Sequence, residues 1–399
     1  MVNEKMKISV PGFLANGISV GIKDGQKKDI GLIYSTVPAK VAAVFTKNAF
    51  KAAPVLIDME RVKKGVAQAI VTNSGCANAA TGKEGYQDAL AVSAALNSHL
   101  KIKEEHILVC STGVIGKRLP VKKIESGMGK LVKGLNESGI PDAEEAMMTT
   151  DKYPKMAIRR GIVGAKDVTI CGIAKGAGMI EPNMATLLIY VMTDALIDAK
   201  ALNTVFHQSI DSTFNAISID GCMSTNDTAI ILANGLAGNN PLEKAQARLQ
   251  RFRDMLSDVL MELAQSVVRD GEGATKFIVI TVEGAKTRSD ARKAAYSIAN
   301  SNLVKTAFFG EDPNWGRILA ALGSSGIPLE KEKVSLSIGG LPVFAQDAPA
   351  NFSLSKLKAI FEKDRIDVHV QLGGGDKSYS VYTSDLTYDY VKINADYTT

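Results

Sequence analysis

A glycine-rich loop near the middle of the chain runs into an apolar segment and carries a hydroxyl group where the two meet. Residues 174–186 have the sequence AKGAGMIEPNMAT, and residues 187–192 predict a buried strand. Because glycine and proline form turns, a tight turn with a threonine at the start of the strand explains the pattern. The same layout suits a chain that cuts itself between Ala185 and Thr186 and then uses the new N-terminal threonine as nucleophile and base. The loop alone leaves both interpretations open.

Histidine, the side chain that most often serves as a general base, is scarce in this chain. The four histidines among 399 residues are His99, His106, His207 and His369. None lies in an HExxH motif or in a cluster with cysteine, which argues against a metal site. A free α-amino group has a pKa of roughly 7.7–8.0 and can accept the proton of the hydroxyl on its own residue. An N-terminal threonine therefore needs no histidine.

A second turn, at residues 111–116, follows the predicted buried strand 107–110 and has the sequence STGVIG. Gly113 would let a backbone N–H approach a ligand oxygen closely, and the hydroxyl of Thr112 would add a second donor. Two donors aimed at one point form an oxyanion hole, which stabilises acyl transfer by several kcal/mol. A plain turn from strand to loop explains the same residues.

Two charged residues in glycine-rich loops are candidates for substrate binding. Lys175 opens the loop before Thr186, and Glu272 lies between Gly271 and Gly273. Solvated surface charges are the commoner use of such side chains. Beside a nucleophile, however, Lys175 would bind a substrate carboxylate and Glu272 a substrate ammonium.

The apolar pattern predicts the strands and helices that must carry these loops. Alternating or β-branched runs predict strands at 18–22, 30–34, 41–45, 68–72, 107–110, 187–192, 228–232, 277–282, 333–338, 366–371 and 379–382. Apolar residues at helical spacing predict helices at 86–100, 121–135, 199–214, 243–268 and 289–300. Paired strands mixed with long helices favour an α+β fold with helices layered on sheets, and the length favours two lobes.

Two other glycine-rich segments do not fit nucleotide-binding motifs. Residues 373–378 have the sequence GGGDKS, in which Asp376 interrupts the Walker pattern. Residues 176–181 lack the third glycine of the dinucleotide motif. Neither segment therefore predicts nucleotide binding. The glycines at 373–375 predict a tight hairpin instead.

The composition is that of an ordinary soluble globular protein. Hydrophobic residues make up 46% and charged residues 22%, and the net charge of +5 forms no basic block. The polar N-terminus lacks the apolar core of a signal peptide, and no apolar run is long enough to span a bilayer. We therefore expect a cytoplasmic protein with no nucleic-acid or membrane partner. Wide spacing predicts buried thiols rather than disulfides or metal ligands at the four cysteines, Cys76, Cys110, Cys171 and Cys222.

Taken together, these segments resemble the ornithine acetyltransferase (glutamate N-acetyltransferase) family of arginine biosynthesis. The resemblance covers essentially the whole chain and is carried by residues 73–79, 111–116, 148–151, 175–188, 220–228, 271–276, 310–317 and 393–399. Its most specific parts are the KGAGM and ATLL sequences around Thr186 and the terminal NADYTT. The resemblance implies the α+β layered helix/sheet sandwich of that family, which is similar to N-terminal nucleophile hydrolases in chemistry and layering but has a different topology.

The resemblance also implies self-cleavage between Ala185 and Thr186. The products would be an α chain of residues 1–185 and a β chain of residues 186–399, which stay together and associate as an α2β2 heterotetramer. Thr186 would be the nucleophile, with Thr112 and Gly113 as the oxyanion hole. The positions implied to bind substrate, besides Thr186, are Thr150 (or its neighbour Thr149), Lys175, Glu272, Asn394 and Thr399.

The implied reaction moves an acetyl group from N2-acetyl-L-ornithine to L-glutamate through an acetyl-Thr186 ester. Acetyl-CoA would be a second acetyl donor in a bifunctional member of the family, and no bound cofactor or metal is expected. Two other interpretations remain open. One is an autoproteolytic aminopeptidase or amidohydrolase in which water takes the acyl group. The other is a non-enzymatic scaffold in which residues 174–186 are merely a turn.

Overall fold

The computed structural model describes residues 8–181, 187–243 and 247–396. The strands are, in chain order, β1 (Phe13–Ile18), β2 (Ile30–Phe45), β3 (Val66–Cys76), β4 (Ile107–Val114), β5 (Lys155–Val163), β6 (Lys166–Lys175), β7 (Leu188–Thr193), β8 (Ile217–Ser218), β9 (Thr228–Ala233), β10 (Phe277–Ala285), β11 (Ser335–Ile338), β12 (Leu341–Ala345), β13 (Ala348–Pro349), β14 (Arg365–Gln371) and β15 (Lys377–Ser384). The α-helices are α1 (Ala53–Arg61), α2 (Gly82–Leu100), α3 (Val121–Lys133), α4 (Ile140–Met147), α5 (Ala199–Ser212), α6 (Ala247–Arg269), α7 (Arg288–Ala299), α8 (Asn302–Phe309), α9 (Trp315–Gly323), α10 (Leu354–Phe361) and α11 (Tyr388–Asp396). The strands form two mixed sheets, each with its own helices.

The first sheet has eight strands within the described ranges, in the order β4-β3-β2-β9-β7-β6-β5, with β1 paired to β2. Most of its pairs are antiparallel, but β3 and β4 run parallel, as do β7 and β9. Every residue of β7 and β9 is buried. Because both faces of these central strands are covered, continuous apolar runs rather than alternating patterns mark them in the sequence.

Helices cover both faces of the first sheet. α5 and α6 pack on one face, where Val191 of β7 and Leu260 of α6 share a hydrophobic core. α4 packs on the other face, against β1 and β2. The approach of α4 requires glycine at position 17, since a Cβ there would lie 1.9 Å from the carbonyl oxygen of Asp142. These helices hold the sheet from which the candidate site is built.

The second sheet has the strand order β13-β12-β11-β14-β10-β15-β8 in the described part of the chain. Strand β10 runs parallel to β14 and antiparallel to β15. Successive side chains of β10 point to opposite faces. Ile278 and Ile280 pack with Ala291 of α7, whereas Phe277 and Val279 belong to the core that contains α6. The alternation along β10 therefore connects the cores of the two sheets.

Most predicted helices and strands are present, but the predicted strand 18–22 is wrong. Strand β1 ends at Ile18. The carboxylate of Asp29 then accepts hydrogen bonds from the backbone N–H groups of Val20 (2.7 Å) and Ile22 (2.6 Å). These groups are unavailable to a neighbouring strand, so a β-rich segment forms a turn around a buried carboxylate instead.

The predicted hairpin at 373–375 is also wrong. Strands β14 and β15 flank this turn in sequence, but they are not neighbours, since β10 lies between them in the sheet. The glycines carry the chain across the end of β10, where the N–H of Gly374 donates to the carbonyl of Gly284 at 2.8 Å. A short glycine turn does not reveal whether the strands on either side pair with each other or with a third strand.

Across the described ranges, no helix combines the length and the apolar character needed to cross a bilayer. None of the four cysteines, all of which lie in the described ranges, forms a disulfide. Cys76, Cys110 and Cys171 are buried, as predicted, but Cys222 is exposed because it lies in the loop between β8 and β9.

Candidate active site

The candidate oxyanion turn lies at the end of β4, beside the end of β3. The two strands are parallel, with Ser74 opposite Thr112 and Gly75 opposite Gly113. Gly113 has φ +128°, and a Cβ on it would lie 2.4 Å from the carbonyl carbon of Gly75. Only glycine fits this position, because both the backbone conformation and the contact with β3 exclude a side chain.

The buried side-chain amides of Asn73 and Asn226 form hydrogen bonds with the residues around this turn. The hydroxyl of Ser111 donates to Oδ1 of Asn73 at 2.6 Å. Nδ2 of Asn226 donates to the carbonyls of Ala77 (2.6 Å) and Ser111 (2.8 Å). Three segments that are distant in sequence therefore meet at the strand ends, and the donors of the turn are held rigidly.

Lys175 is the last residue of β6 and points its amine at the same turn. Its Nζ donates to Oγ1 of Thr112 at 3.2 Å. In the pairing of β6 with β7, Lys175 stands opposite Leu188, two residues after Thr186. Burial lowers the pKa of the Lys175 amine, although the Asp151 carboxylate opposes this effect. The amine is thus a partly desolvated cation beside the hydroxyl of Thr112.

Glu272 lies with its carboxylate against the glycine-rich loop that follows Lys175. It is only 8% exposed, so it is not the solvated turn carboxylate of the alternative interpretation. Nδ2 of Asn394, in α11, donates to its Oε2 at 2.7 Å. Its backbone N–H donates to the carbonyl of Ala177 at 2.8 Å, and a Cβ on Gly178 would lie 2.5 Å from its carboxyl group. Glycine at 178 lets the loop pass directly over this carboxylate.

The glycine-rich loop is anchored on Asp220 before it reaches Pro182. The carboxylate of Asp220 accepts the N–H groups of Met179 (2.6 Å) and Ile180 (2.8 Å). The N–H of Glu181 donates to the carbonyl of Cys222 at 2.9 Å. Met179 adopts φ +58°, a left-handed conformation that non-glycine residues rarely adopt. These contacts hold the described part of the loop, up to Glu181, against the loop that carries Asp220.

The separate elements border one cavity of about 190 Å³. Of the residues predicted for the site, those that line it are Thr112, Gly113, Thr149, Thr150, Lys175, Glu272 and Asn394. Thr149 and Thr150 both reach the cavity, so geometry does not choose between them. The remaining predicted positions, Ala185, Thr186 and Thr399, lie outside the described residues. Leu187 and Leu188 line the cavity, which places its wall one residue beyond Thr186.

Not every loop of the sequence resemblance borders this cavity. The segment 310–317 is absent from its lining within the described residues. Glu311 instead forms an ion pair with the buried Lys276 at 2.6 Å. Lys276 directly precedes the first residue of β10. The 310–317 loop therefore contacts the second sheet rather than the cavity.

Asp151, Lys155 and Asp270 form a buried charge cluster next to the segments that line the cavity. This cluster was not predicted from the sequence. The side chains of Asp151, Lys155 and Asp270 are all 0% exposed. Nζ of Lys155 lies 2.7 Å from Asp151 and 2.5 Å from Asp270. Burial would raise the pKa of Asp151, but the Lys175 and Lys155 ammonium groups hold it below its usual value. No sequence signal marked this cluster, because strand β5, which Lys155 opens, was itself not predicted.

The arrangement suits a small amino-acid derivative with charges at both ends. The Thr112–Gly113 turn offers donors for a developing oxyanion, Lys175 offers a cation, and Glu272 offers a carboxylate. Among the described residues, no group of three or more His, Cys, Asp or Glu side chains is arranged to hold a metal ion.

The layered α+β fold and this cavity suit an enzyme of acyl transfer. The chain belongs to the ArgJ family, which matches residues 14–399. A relative described as arginine biosynthesis bifunctional protein ArgJ, from Geobacter sulfurreducens, is 49% identical and covers 98% of this chain and 100% of its own length. The protein of the same description from Caldanaerobacter subterraneus subsp. tengcongensis is 47% identical over 98% of both chains.

A solved structure agrees with this family membership. The crystal structure of arginine biosynthesis bifunctional protein argJ from Bacillus halodurans is 40% identical, with a TM-score of 0.51, and covers 52% of this chain and 98% of that chain. The protein is therefore an acyltransferase of arginine biosynthesis with the layered α+β fold of its family.

Proposed function

We propose that this enzyme transfers the acetyl group of N2-acetyl-L-ornithine to L-glutamate through an acetyl ester on Thr186. The observation that carries the proposal is the cavity, which brings Thr112, Lys175 and Glu272 together beside the start of β7. Thr186 precedes this strand by two residues. A nucleophile there would face donors, a cation and a carboxylate that lie on separate elements.

In the first half-reaction, Thr186 Oγ attacks the acetyl carbonyl carbon of N-acetylornithine. The N–H of Gly113 and the hydroxyl of Thr112 stabilise the oxyanion, and the α-amino group of Thr186 takes the hydroxyl proton. The C–N bond then breaks, and the same proton passes to the departing α-amine of ornithine. Lys175 binds the α-carboxylate, and Glu272 binds the side-chain ammonium.

In the second half-reaction, the α-amine of glutamate attacks the acetyl ester. The α-amino group of Thr186 takes a proton from the attacking nitrogen and passes it to Thr186 Oγ as the C–O bond breaks, and N-acetylglutamate leaves. Glutamate and ornithine are α-amino acids of similar length, so one cavity serves both in turn. Lys175, with Asn394 and the C-terminal Thr399, supplies the groups that hold carboxylates, and Thr149 or Thr150 adds a hydroxyl to the substrate site.

Self-cleavage between Ala185 and Thr186 would produce the free amine that this mechanism needs. Support comes from the Bacillus halodurans structure, whose matched chain spans about half of this one (52%). The α chain of residues 1–185 and the β chain of residues 186–399 would remain associated, since β6 and β7 are hydrogen-bonded neighbours in one sheet. We further propose that two such pairs form an α2β2 heterotetramer in the cytoplasm.

Acetyl-CoA is proposed as a second acetyl donor. The relatives are described as bifunctional, which is consistent with an additional N-acetylglutamate synthase activity. The acetyl thioester would acylate Thr186 in the same way as N-acetylornithine, and the second half-reaction would be unchanged. No resident cofactor is required by either route.

The test compares the wild type with Thr186→Ala and the matched control Thr186→Ser. We expect Thr186→Ala to migrate as one full-length chain on a denaturing gel and to form no N-acetylglutamate, because both cleavage and transfer use the hydroxyl. Thr186→Ser keeps a hydroxyl and should still be cut. Efficient transfer by Thr186→Ala would refute the proposal. Ornithine release that does not depend on glutamate would instead identify an amidohydrolase.

A further inference from the structure

The buried charge cluster joins segments that lie on opposite sides of the proposed cleavage point. Asp151 and Lys155 precede residue 185, and Asp270 follows it. The Lys155 ammonium bridges both carboxylates, at 2.7 Å and 2.5 Å, and none of the three side chains is exposed to solvent. In a cut enzyme, the Lys155–Asp270 ion pair would therefore connect two separate chains.

One end of the cluster holds the segments that carry Lys175 and Thr150. The Asp151 carboxylate accepts the N–H of Gly176 at 2.7 Å, directly after Lys175. It also accepts the N–H of Thr149 at 2.9 Å. A single carboxylate thus sets the backbone on both sides of the carboxylate-binding part of the cavity.

The other end of the cluster holds the segment that carries Glu272. Asp270 lies two residues before Glu272, and its carboxylate accepts the N–H of Lys152 at 3.2 Å and 3.1 Å through its two oxygens. The N–H of Glu272 in turn donates to the carbonyl of Ala177 at 2.8 Å. A shift of Asp270 away from Lys155 would move Glu272 relative to the glycine-rich loop.

The charges of the cluster balance only when Lys155 is present. Asp151 and Asp270 bring two negative charges, which Lys155 and the adjacent Lys175 offset. Without Lys155, two buried carboxylates would face each other with only the amine of Lys175 nearby among the described residues. Lys175 would then be drawn toward Asp151 and away from the cavity.

We propose that Lys155 is a positioning residue that keeps Lys175 and Glu272 at a fixed separation once the chain has been cut. This inference rests on the proposed function, since it takes Lys175 and Glu272 as the groups that bind the two ends of the substrate. Lys155 itself does not line the cavity. Its effect acts through Asp151 on one chain and Asp270 on the other.

The experiment uses purified, cut enzyme and measures KM and kcat for N-acetylornithine and glutamate. Asp270→Asn keeps the shape of the side chain and leaves the Lys155–Asp151 pair in place, so it should fold. We expect KM for N-acetylornithine to rise by about tenfold with kcat changed by less than about threefold, because the binding groups shift while the nucleophile and oxyanion turn stay in place. Lys155→Met should raise KM further. Lys305→Met, which removes a different buried amine, is the matched control and should keep the wild-type KM.

The outcomes separate this inference from the function on which it rests. A wild-type enzyme that is neither cut nor able to acetylate glutamate would refute the proposed function. A wild type that does both, with unchanged KM in Asp270→Asn, would overturn the positioning role even if Lys155→Met failed to fold. A loss confined to kcat would overturn it as well, since it would place the effect on the chemical step.

Discussion

Two lysines are buried in this protein in contrasting surroundings, one in each sheet region. Lys155 opens β5 and is enclosed by two carboxylates. Lys305 lies in α8, is 3% exposed, and donates to two neutral groups, the hydroxyl of Thr383 (3.1 Å) and the carbonyl of Ser384. Both amines are buried, but among the residues that the structure describes, only Lys155 has counter-charges in direct contact.

The pKa values of the two amines move in opposite directions as a result. Burial favours the neutral amine in both cases. At Lys155 the carboxylates of Asp151 and Asp270 outweigh burial and raise the pKa above its usual value. At Lys305 burial outweighs the more distant Asp385 and Asp220, and the pKa falls to about 8. Contact with a counter-charge, rather than depth, decides whether the pKa of a buried lysine rises or falls.

The largest effect is expected from Lys155→Met. Removing one partner of a buried ion cluster leaves its carboxylates uncompensated, so the free energy of unfolding at pH 7 should fall by about 3–5 kcal/mol. Lys305→Met removes hydrogen bonds to two neutral buried acceptors rather than a counter-charge, so the free energy of unfolding should fall by only about 1–3 kcal/mol. Urea denaturation measures both. Equal losses in the two variants would contradict the comparison.

A third buried carboxyl group, that of Glu144, lies near Lys155, and its pKa shows that Lys155 does not keep it charged. Burial and the nearby Asp151 raise the pKa of Glu144 to about 8, although the Lys155 N–H donates to its Oε1 at 2.9 Å. A carboxyl whose pKa is higher in the folded state binds more protons there, so stability falls as pH rises from about 4.5 to 8. Glu144→Gln should remove a decrease of about 3 kcal/mol between pH 5 and pH 8. Thermal denaturation at a series of pH values measures it, and parallel curves for the two proteins would refute the expectation.

Lys305 should give a pH dependence of the opposite sign. Its folded-state pKa is below the unfolded value of 10.5, so the unfolded chain binds more protons and stability rises between pH 8 and 10.5. From pH 8 to pH 10 the gain should be about 2 kcal/mol, and Lys305→Met should lack it. For Lys155, with its raised pKa, stability is instead lost above pH 10.5. Denaturant titrations of wild type and Lys305→Met at matched pH check this point.

The smallest effect is expected for an exposed ion pair of similar length. Lys63 lies 2.6 Å from Glu60, with the two side chains 66% and 68% exposed. Solvent screening leaves such pairs worth little, so Lys63→Ala should change the free energy of unfolding by less than about 0.5 kcal/mol. A loss comparable to that of Lys155→Met would show that burial is not what makes the cluster strong.

Several elements with a strong apolar pattern were predicted from the sequence, but strand β6, which also has an apolar run, was missed. Helix α6 and strand β9 were predicted because each has a long apolar stripe or run. Strand β5 was missed because it begins with Lys155 and carries Arg159 and Arg160, which interrupt an apolar pattern. The short helices α4 and α8 were missed for a different reason, since eight residues give too few turns to show a period.

The candidate site likewise contains residues that the sequence predicts and residues that it does not. The placement of Thr112, Lys175 and Glu272 around one cavity follows from glycine-rich loops that the sequence makes visible. The cluster beneath them does not, because Lys155 and Asp270 are 115 residues apart and only the folded sheet brings them together. No local pattern distinguishes a lysine that will be enclosed by carboxylates from one that will be solvated.

The position of β7 and β9 has a consequence for how the enzyme must be made. These two strands follow the proposed cleavage point, yet they fill the space between β2 and β6, which precede it. A fragment ending at residue 185 would expose two long unpaired strand edges, and the complementary fragment would expose two more. Such edges promote aggregation. Production of the two fragments from separate genes should therefore succeed only when both are synthesised together, so that each supplies the strands the other lacks.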